Sequence, residues 1–96
     1  MAKKYSLIDK RRYYSGVKHR TNNWFVFSHA IGFLDGAARL TNASDYKGAQ
    51  EKLSYYKRRL KNMTKEDKII LEDFDCKKEI CYYRGFIKGY KAKKDE

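Results

Sequence analysis

Three tyrosine doublets in this chain stand beside cationic side chains. Lys10, Arg11 and Arg12 precede Tyr13 and Tyr14; Tyr55 and Tyr56 precede Lys57, Arg58 and Arg59; Tyr82 and Tyr83 precede Arg84. Cations interleaved with aromatic rings suit a phosphate backbone that carries bases or sugars beside it. Tyrosine and arginine also anchor protein interfaces, so an acidic protein surface is the other ligand that this chemistry fits. Neighbours on a helix point about 100° apart, so one tyrosine of each doublet can enter the core while the other stays at its boundary. Tyr56 and Tyr83 fall on apolar stripes, which leaves Tyr55 and Tyr82 as boundary residues able to donate to phosphate or stack on bases. The candidate residues for binding nucleic acid or an anionic partner are thus Lys10, Arg11, Arg12, Lys18 and Arg20 near the start of the chain, Tyr55, Lys57, Arg58, Arg59 and Lys61 in its middle, and Tyr82, Arg84 and Lys88 towards its end.

Other chemistries find less support. Cys76, Cys81, His19 and His29 are potential metal ligands, but cysteines five apart match no zinc spacing and splay apart on a helix. Free thiols, with neither metal nor cofactor, are expected. Ser28, His29 and Asp35 diverge on one helix and make no triad. The carboxylates between Glu66 and Glu79 lack the alternating, glycine-turned loop that holds a divalent cation. No phosphate-cradling glycine loop or dinucleotide fingerprint occurs, and the chain reads as a non-enzyme.

The elements that position the tyrosines follow from periodicity. With 96 residues and no proline, the chain reads as one small domain over residues 1–96, its ends frayed, and no stretch resembles a linker. Hydrophobic residues make up 42% of it, enough for a folded core despite 36% charged residues. Ser6, three residues before Asp9, can cap a short helix to about Tyr14, with Leu7 and Tyr14 on its apolar side and a basic loop or short strand over 15–23. Asn23 can cap a second, strongly apolar helix from Trp24 to about Leu40. Ser44 is the expected cap of a third helix, in which Tyr46, Ala49, Leu53, Tyr56 and Leu60 keep three-and-four spacing. Thr64 and Asp67 match a capping box for a fourth, carrying Ile69, Cys76, Ile80, Tyr83, Ile87 and Tyr90, with a break expected near Asp73 to Asp75. The fold expected is a compact all-α bundle of three to four helices, about 7–14, 24–40, 45–62 and 65–90, with a basic amino-terminal segment.

Gly32 and Gly36 in the second helix and Gly85 and Gly89 in the fourth repeat a spacing of four. Each costs about 1 kcal/mol against alanine inside a helix, so close backbone approach of these two helices is the expected compensation.

The net charge of +11 is segregated. Residues 1–20 hold seven Lys and Arg against one Asp, residues 80–94 hold five against none, and residues 66–79 are acidic. No leader pattern opens the chain and the longest apolar run is about half of a membrane span, so a reducing cytoplasm is expected. In size and composition the chain resembles the small, lysine-rich proteins of bacterial phages and other mobile elements. The function ranked first is nucleic-acid binding (DNA or RNA) with limited sequence specificity. Behind it come a protein-binding inhibitor or adaptor of mobile-element type acting on a host nucleic-acid enzyme, and a self-associating helical protein that forms a homodimer.

Overall fold

The first three helix starts described are set by side chains that take up amide donors otherwise left without acceptors. Ser6 Oγ accepts from the Asp9 amide at 3.2 Å, and Asn23 Oδ1 accepts from the Phe25 and Val26 amides at 2.9 and 3.1 Å. Asn42 Oδ1 accepts from the Asp45 amide while the Asp45 carboxylate accepts from the Asn42 amide, each at 3.0 Å, a closed capping box. The computed structural model describes residues 5–66 and 72–95, and four helices are described within them: α1 (Leu7–Arg20), α2 (Trp24–Gly36), α3 (Ala43–Lys61) and α4 (Glu72–Lys94). The protein is an all-α bundle.

Several boundaries differ from those expected. The first helix does not stop at Tyr14; α1 runs through Ser15 and Gly16 to Arg20, so the loop or strand expected over 15–23 shrinks to a three-residue connection. One glycine costs too little to end a helix whose Tyr14 ring is stacked on Phe33 at 4.2 Å and whose last turn carries Lys18, His19 and Arg20 at the favourable end of the helix dipole. The second helix stops at Gly36 rather than Leu40, because Thr41 turns the chain back and donates its hydroxyl to the Asp35 carbonyl at 2.6 Å. α3 starts at Ala43 with Asn42 as its cap, not Ser44, since only Asn42 has Asp45 three residues on to close the box. α4 is unbroken through Asp73 to Asp75 and continues to Lys94. Phe74 packs against Phe25 with ring centroids 5.2 Å apart, and Cys76 is fully buried just beyond. Lys65 and Glu66, where the fourth helix is expected to start, are helical, while Asp67, the expected partner of the Thr64 cap, and Ile69 lie outside the described residues.

The short connection folds α1 back along α2, where Leu7 and Tyr14 cover Phe33 and Ala37. α2 and α4 run parallel. Phe25 meets Phe74 near their starts, His29 and Phe33 face Gly85 midway, and Ala38 meets Lys93 at the end. α3 lies antiparallel on the other flank of α4, with Tyr46 stacked on Tyr90 at 4.7 Å and Tyr56 on Tyr83 at 6.1 Å. The helices therefore lie in the order α1, α2, α4, α3, and the α2–α3 connection passes the carboxyl-terminal end of α4.

At the centre, α2 and α4 touch backbone to backbone. Gly32 faces the Tyr82 carbonyl, Gly36 that of Phe86, Gly85 that of His29 and Gly89 that of Phe33. Half of the buried apolar residues are alanines: Ala30, Ala37, Ala49 and Ala92 accompany Phe33, Cys76, Ile80 and Tyr90. α1 packs beside this crossing through Tyr14 on Phe33, and α3 packs on α4 through Tyr46 on Tyr90 and Tyr56 on Tyr83.

Candidate functional site

The first doublet divides as adjacent helical positions must. Tyr14 turns inward, stacked on Phe33 and 5.7 Å from the His29 ring, whereas Tyr13 stands 62% exposed with its ring edge-on to Tyr14 at 5.1 Å. Tyr5, just before the Ser6 cap, is 59% exposed. These three rings and Phe33 line one side and the base of a groove of about 790 Å³ between α1 and the last turns of α4. Lys10 lines it from α1, and Lys88 and Lys91 from α4, together with Asp9 and Asp95. The Lys88 ammonium lies 5.8 Å from the centre of the Tyr14 ring, within cation–π range. Lys10 and Lys88, remote in sequence, thus share one concave site with exposed aromatic faces.

The second and third doublets join across α3 and α4. Tyr55 is 49% exposed and edge-on to Tyr56 at 5.0 Å; Tyr56 stacks on Tyr83, which meets Tyr82 edge-on at 5.0 Å. At the outer end of this aromatic run, Tyr55, Arg58, Arg59, Asn62 and Met63 line a hollow of about 380 Å³. Lys57 and Lys61 are exposed on the same helix. At the inner end, the Tyr82 hydroxyl donates to the Asp35 carboxylate at 2.6 Å. Of the two roles expected of Tyr82, donating to phosphate or stacking on bases, this bond to α2 takes up the hydroxyl proton that the first requires.

Burial raises the pKa of Tyr82 well above its ordinary value, and its bond to Asp35 adds to the shift; burial also raises those of Tyr56 and Tyr83. The folded protein therefore holds these protons more tightly than the unfolded chain. Their contribution is fully present below pH 10, the ordinary tyrosine value, and is lost as pH rises beyond it towards the folded values. Thermal melts at rising pH should fall away above about pH 10. Tyr82→Phe should lower stability near neutrality by about 1 kcal/mol and flatten the alkaline decline. A decline of unchanged steepness in the variant would show that Tyr82 does not contribute to it.

The remaining candidates are dispersed. Arg11 and Arg12 are exposed on α1, Arg84 on α4, and Lys18 is half-buried beside Asn22, Trp24 and Phe27. Arg20 folds back, its Nε donating to the Gly16 carbonyl at 3.2 Å. The His29 pKa is lowered, first by burial and then by Lys88. Cys76 is buried and Cys81 half-buried, its thiol pushed up by burial. Three surface residues escaped the sequence reading. Tyr5 and Lys91 belong to no doublet, although each pairs a tyrosine with a lysine in sequence; Trp24, 61% exposed and edge-on to Phe27, was absorbed into an apolar helix. Among the described residues, no group of three or more His, Cys, Asp or Glu is placed to hold a metal ion, and no helix is long and apolar enough to cross a membrane. In comparisons with known proteins, no family model, no curated protein and no solved structure matches the chain.

Proposed function

We propose that this is a small, non-enzymatic nucleic-acid-binding protein of the cytoplasm that takes the phosphate backbone on its lysines and arginines with limited sequence specificity. The observation that carries the reading is that two concave sites flanked by an exposed doublet tyrosine are also lined by cations: Tyr13 with Lys10, Lys88 and Lys91, and Tyr55 with Arg58 and Arg59. Cations release counterions from the backbone, and exposed rings give bases or sugars a surface to lie on. Base-edge discrimination would rest on Arg58 and Arg59, since few amide side chains stand near them.

The test is fluorescence anisotropy of labelled single-stranded DNA, duplex DNA and RNA against the nuclease-treated protein over a range of salt. Binding at micromolar concentration or tighter near physiological salt, with a slope of several displaced counterions, is the expected result. The double variant Arg58→Ala, Arg59→Ala should flatten that slope by about 1.4 to 1.8 and weaken binding roughly ten- to thirtyfold at about 0.15 M salt. Loss of all wild-type binding at that salt would rule the function out.

Trp24 favours a second reading, an inhibitor or adaptor that docks on a partner protein. An exposed tryptophan between two shallow hollows, one lined by Lys18 and Asn22 and the other by Ile31 and Lys78, has the form of an interface anchor. On this reading Trp24→Ala abolishes partner capture that survives nuclease treatment, and leaves the salt-dependent binding of oligonucleotides alone.

A further inference from the structure

We propose that the groove between α1 and α4 holds a single-stranded segment of nucleic acid, its bases lying on Tyr13 and Tyr5 and its phosphates on Lys10, Lys88 and Lys91. This rests on the nucleic-acid reading above and narrows it to one form of ligand and one site.

Shape favours a single strand. The groove is concave, its volume of about 790 Å³ falls within the range of about 300–1,000 Å³ that encloses small ligands, and its base is the packed pair of Tyr14 and Phe33. A duplex is stiff and convex, and it keeps the faces of its bases stacked on one another, out of reach of a tyrosine ring. An unpaired strand presents those faces. Tyr13 and Tyr5, at 62% and 59% exposure, offer open rings to receive them at the wall of an apolar hollow.

Charge favours the same occupant. The groove walls come from the two stretches with the largest excess of cations: residues 1–20, at +6, and residues 80–94, at +5, together match the whole net charge of +11. Phosphates are drawn to the lysines that line the groove, Lys10 on one helix and Lys88 and Lys91 on the other. Asp9 and Asp95 share the lining and repel phosphate from their own positions. Their carboxylates can accept from amino groups on base edges, which fits bases inside and backbone at the lysines rather than the reverse. A purely electrostatic contact would need neither the aromatic base nor the carboxylates.

The experiment compares wild type, Tyr13→Ala, Tyr13→Phe and the double variant Lys88→Gln, Lys91→Gln. Each is titrated against single-stranded DNA, single-stranded RNA, duplex DNA and a mononucleotide, with a thermal melt to show that it is folded. Tyr13 is exposed, so its truncation is expected to leave the melt unchanged. Single strands should bind at least tenfold more tightly than duplex, and the mononucleotide weakly. Tyr13→Ala should lose about five- to 150-fold in single-strand affinity with the salt slope preserved, while Tyr13→Phe retains binding. The lysine pair should instead flatten the slope. The inference is overturned if duplex binds as well as single strand, or if Tyr13→Ala binds single strands like wild type. Should either happen while Arg58→Ala, Arg59→Ala still weakens binding, nucleic-acid binding stands and the groove is not its site. Should wild type bind none of the polymers at physiological salt, both readings fall together.

Discussion

Gly85→Ala is expected to remove a large part of the protein's stability, and Gly85→Leu to prevent folding. A Cβ at residue 85 would overlap the His29 carbonyl oxygen and come within 3.0 Å of the Phe33 amide nitrogen; one at residue 32 would overlap the Tyr82 carbonyl and come within 3.0 Å of the Phe86 amide nitrogen. Gly36 and Gly89 repeat the arrangement one turn on, against Phe86 and Phe33. In the place of each Cβ a glycine Cα hydrogen points at a carbonyl oxygen of the other helix, a contact that recurs where helices pack closely. The obstructing atoms are helical backbone, which cannot swing aside as a side chain does. Relief requires α2 and α4 to separate, which loosens the packing around Phe33 and Ala37. Overpacking typically costs about 1–3 kcal/mol, and at a crossing of rigid backbones about 3 kcal/mol or more is expected for one methyl group. That would lower the melting temperature by roughly 12–24 °C in a domain of this size, out of a total stability of about 5–15 kcal/mol. Gly48→Ala is the control: apart from the neighbouring backbone of its own helix no atom lies within 4 Å of its Cβ position, and better helix propensity should raise stability by about 0.5–1 kcal/mol. If Gly85→Ala and Gly32→Ala both melt with the wild type, the helices do not cross this closely.

How much of this could be read from residues alone depends on the range of the interaction. Ser6 and Asn23 announce their helices because a cap and the amide donors it accepts from lie within three residues. Ser44 misleads because Asn42 competes for the same role, and only the position of Asp45 decides between them. The end of α2 is illegible, since Ala37 to Leu40 are compatible with a helix and what diverts them is Thr41 together with Lys93, more than fifty residues away. The division of the doublets follows the same rule. Stripe position assigns Tyr56 and Tyr83 to their packed places, but the acceptor that occupies Tyr82 lies 47 residues upstream and leaves no local trace. Cationic and aromatic content was legible; its division between a groove at α1 and α4 and a hollow on α3 was not. That division depends on α2 and α4 running parallel, which brings the last turns of α4 beside the first helix.

Lys93→Met is expected to unfasten the end of the bundle at a cost of about 2 kcal/mol, or roughly 8–16 °C in melting temperature. The Lys93 ammonium donates to the Ala38 carbonyl at 2.8 Å and to the Thr41 carbonyl, and lies 5.0 Å from the centre of the Tyr90 ring. Two charge-assisted bonds and a cation–π contact thus tie the α2–α3 connection to the last turn of α4. Each such bond can contribute about 1.5–3 kcal/mol, but these are only part-buried and water can take up the released carbonyls, which holds the expected loss below the sum of the two. Methionine keeps much of the length and apolar character of the stem, so the variant removes the charge with little change in packing. Lys94→Met is the comparison, because Lys94 is exposed and lies 6.0 Å from the same ring, and its replacement should cost under about 0.5 kcal/mol. The neighbours of Lys93 give the loss a second reading, since Lys91, Ala92 and Asp95 all line the groove at α1. Hydrogen exchange should therefore quicken at the Asp95 amide, which donates to the Lys91 carbonyl at 3.1 Å, and single-strand affinity should fall with it. A lower melting temperature with unchanged exchange at Asp95 would place the role of Lys93 in the α2–α3 connection alone; unchanged melting would mean that the two carbonyls gain nothing from the ammonium that water does not supply.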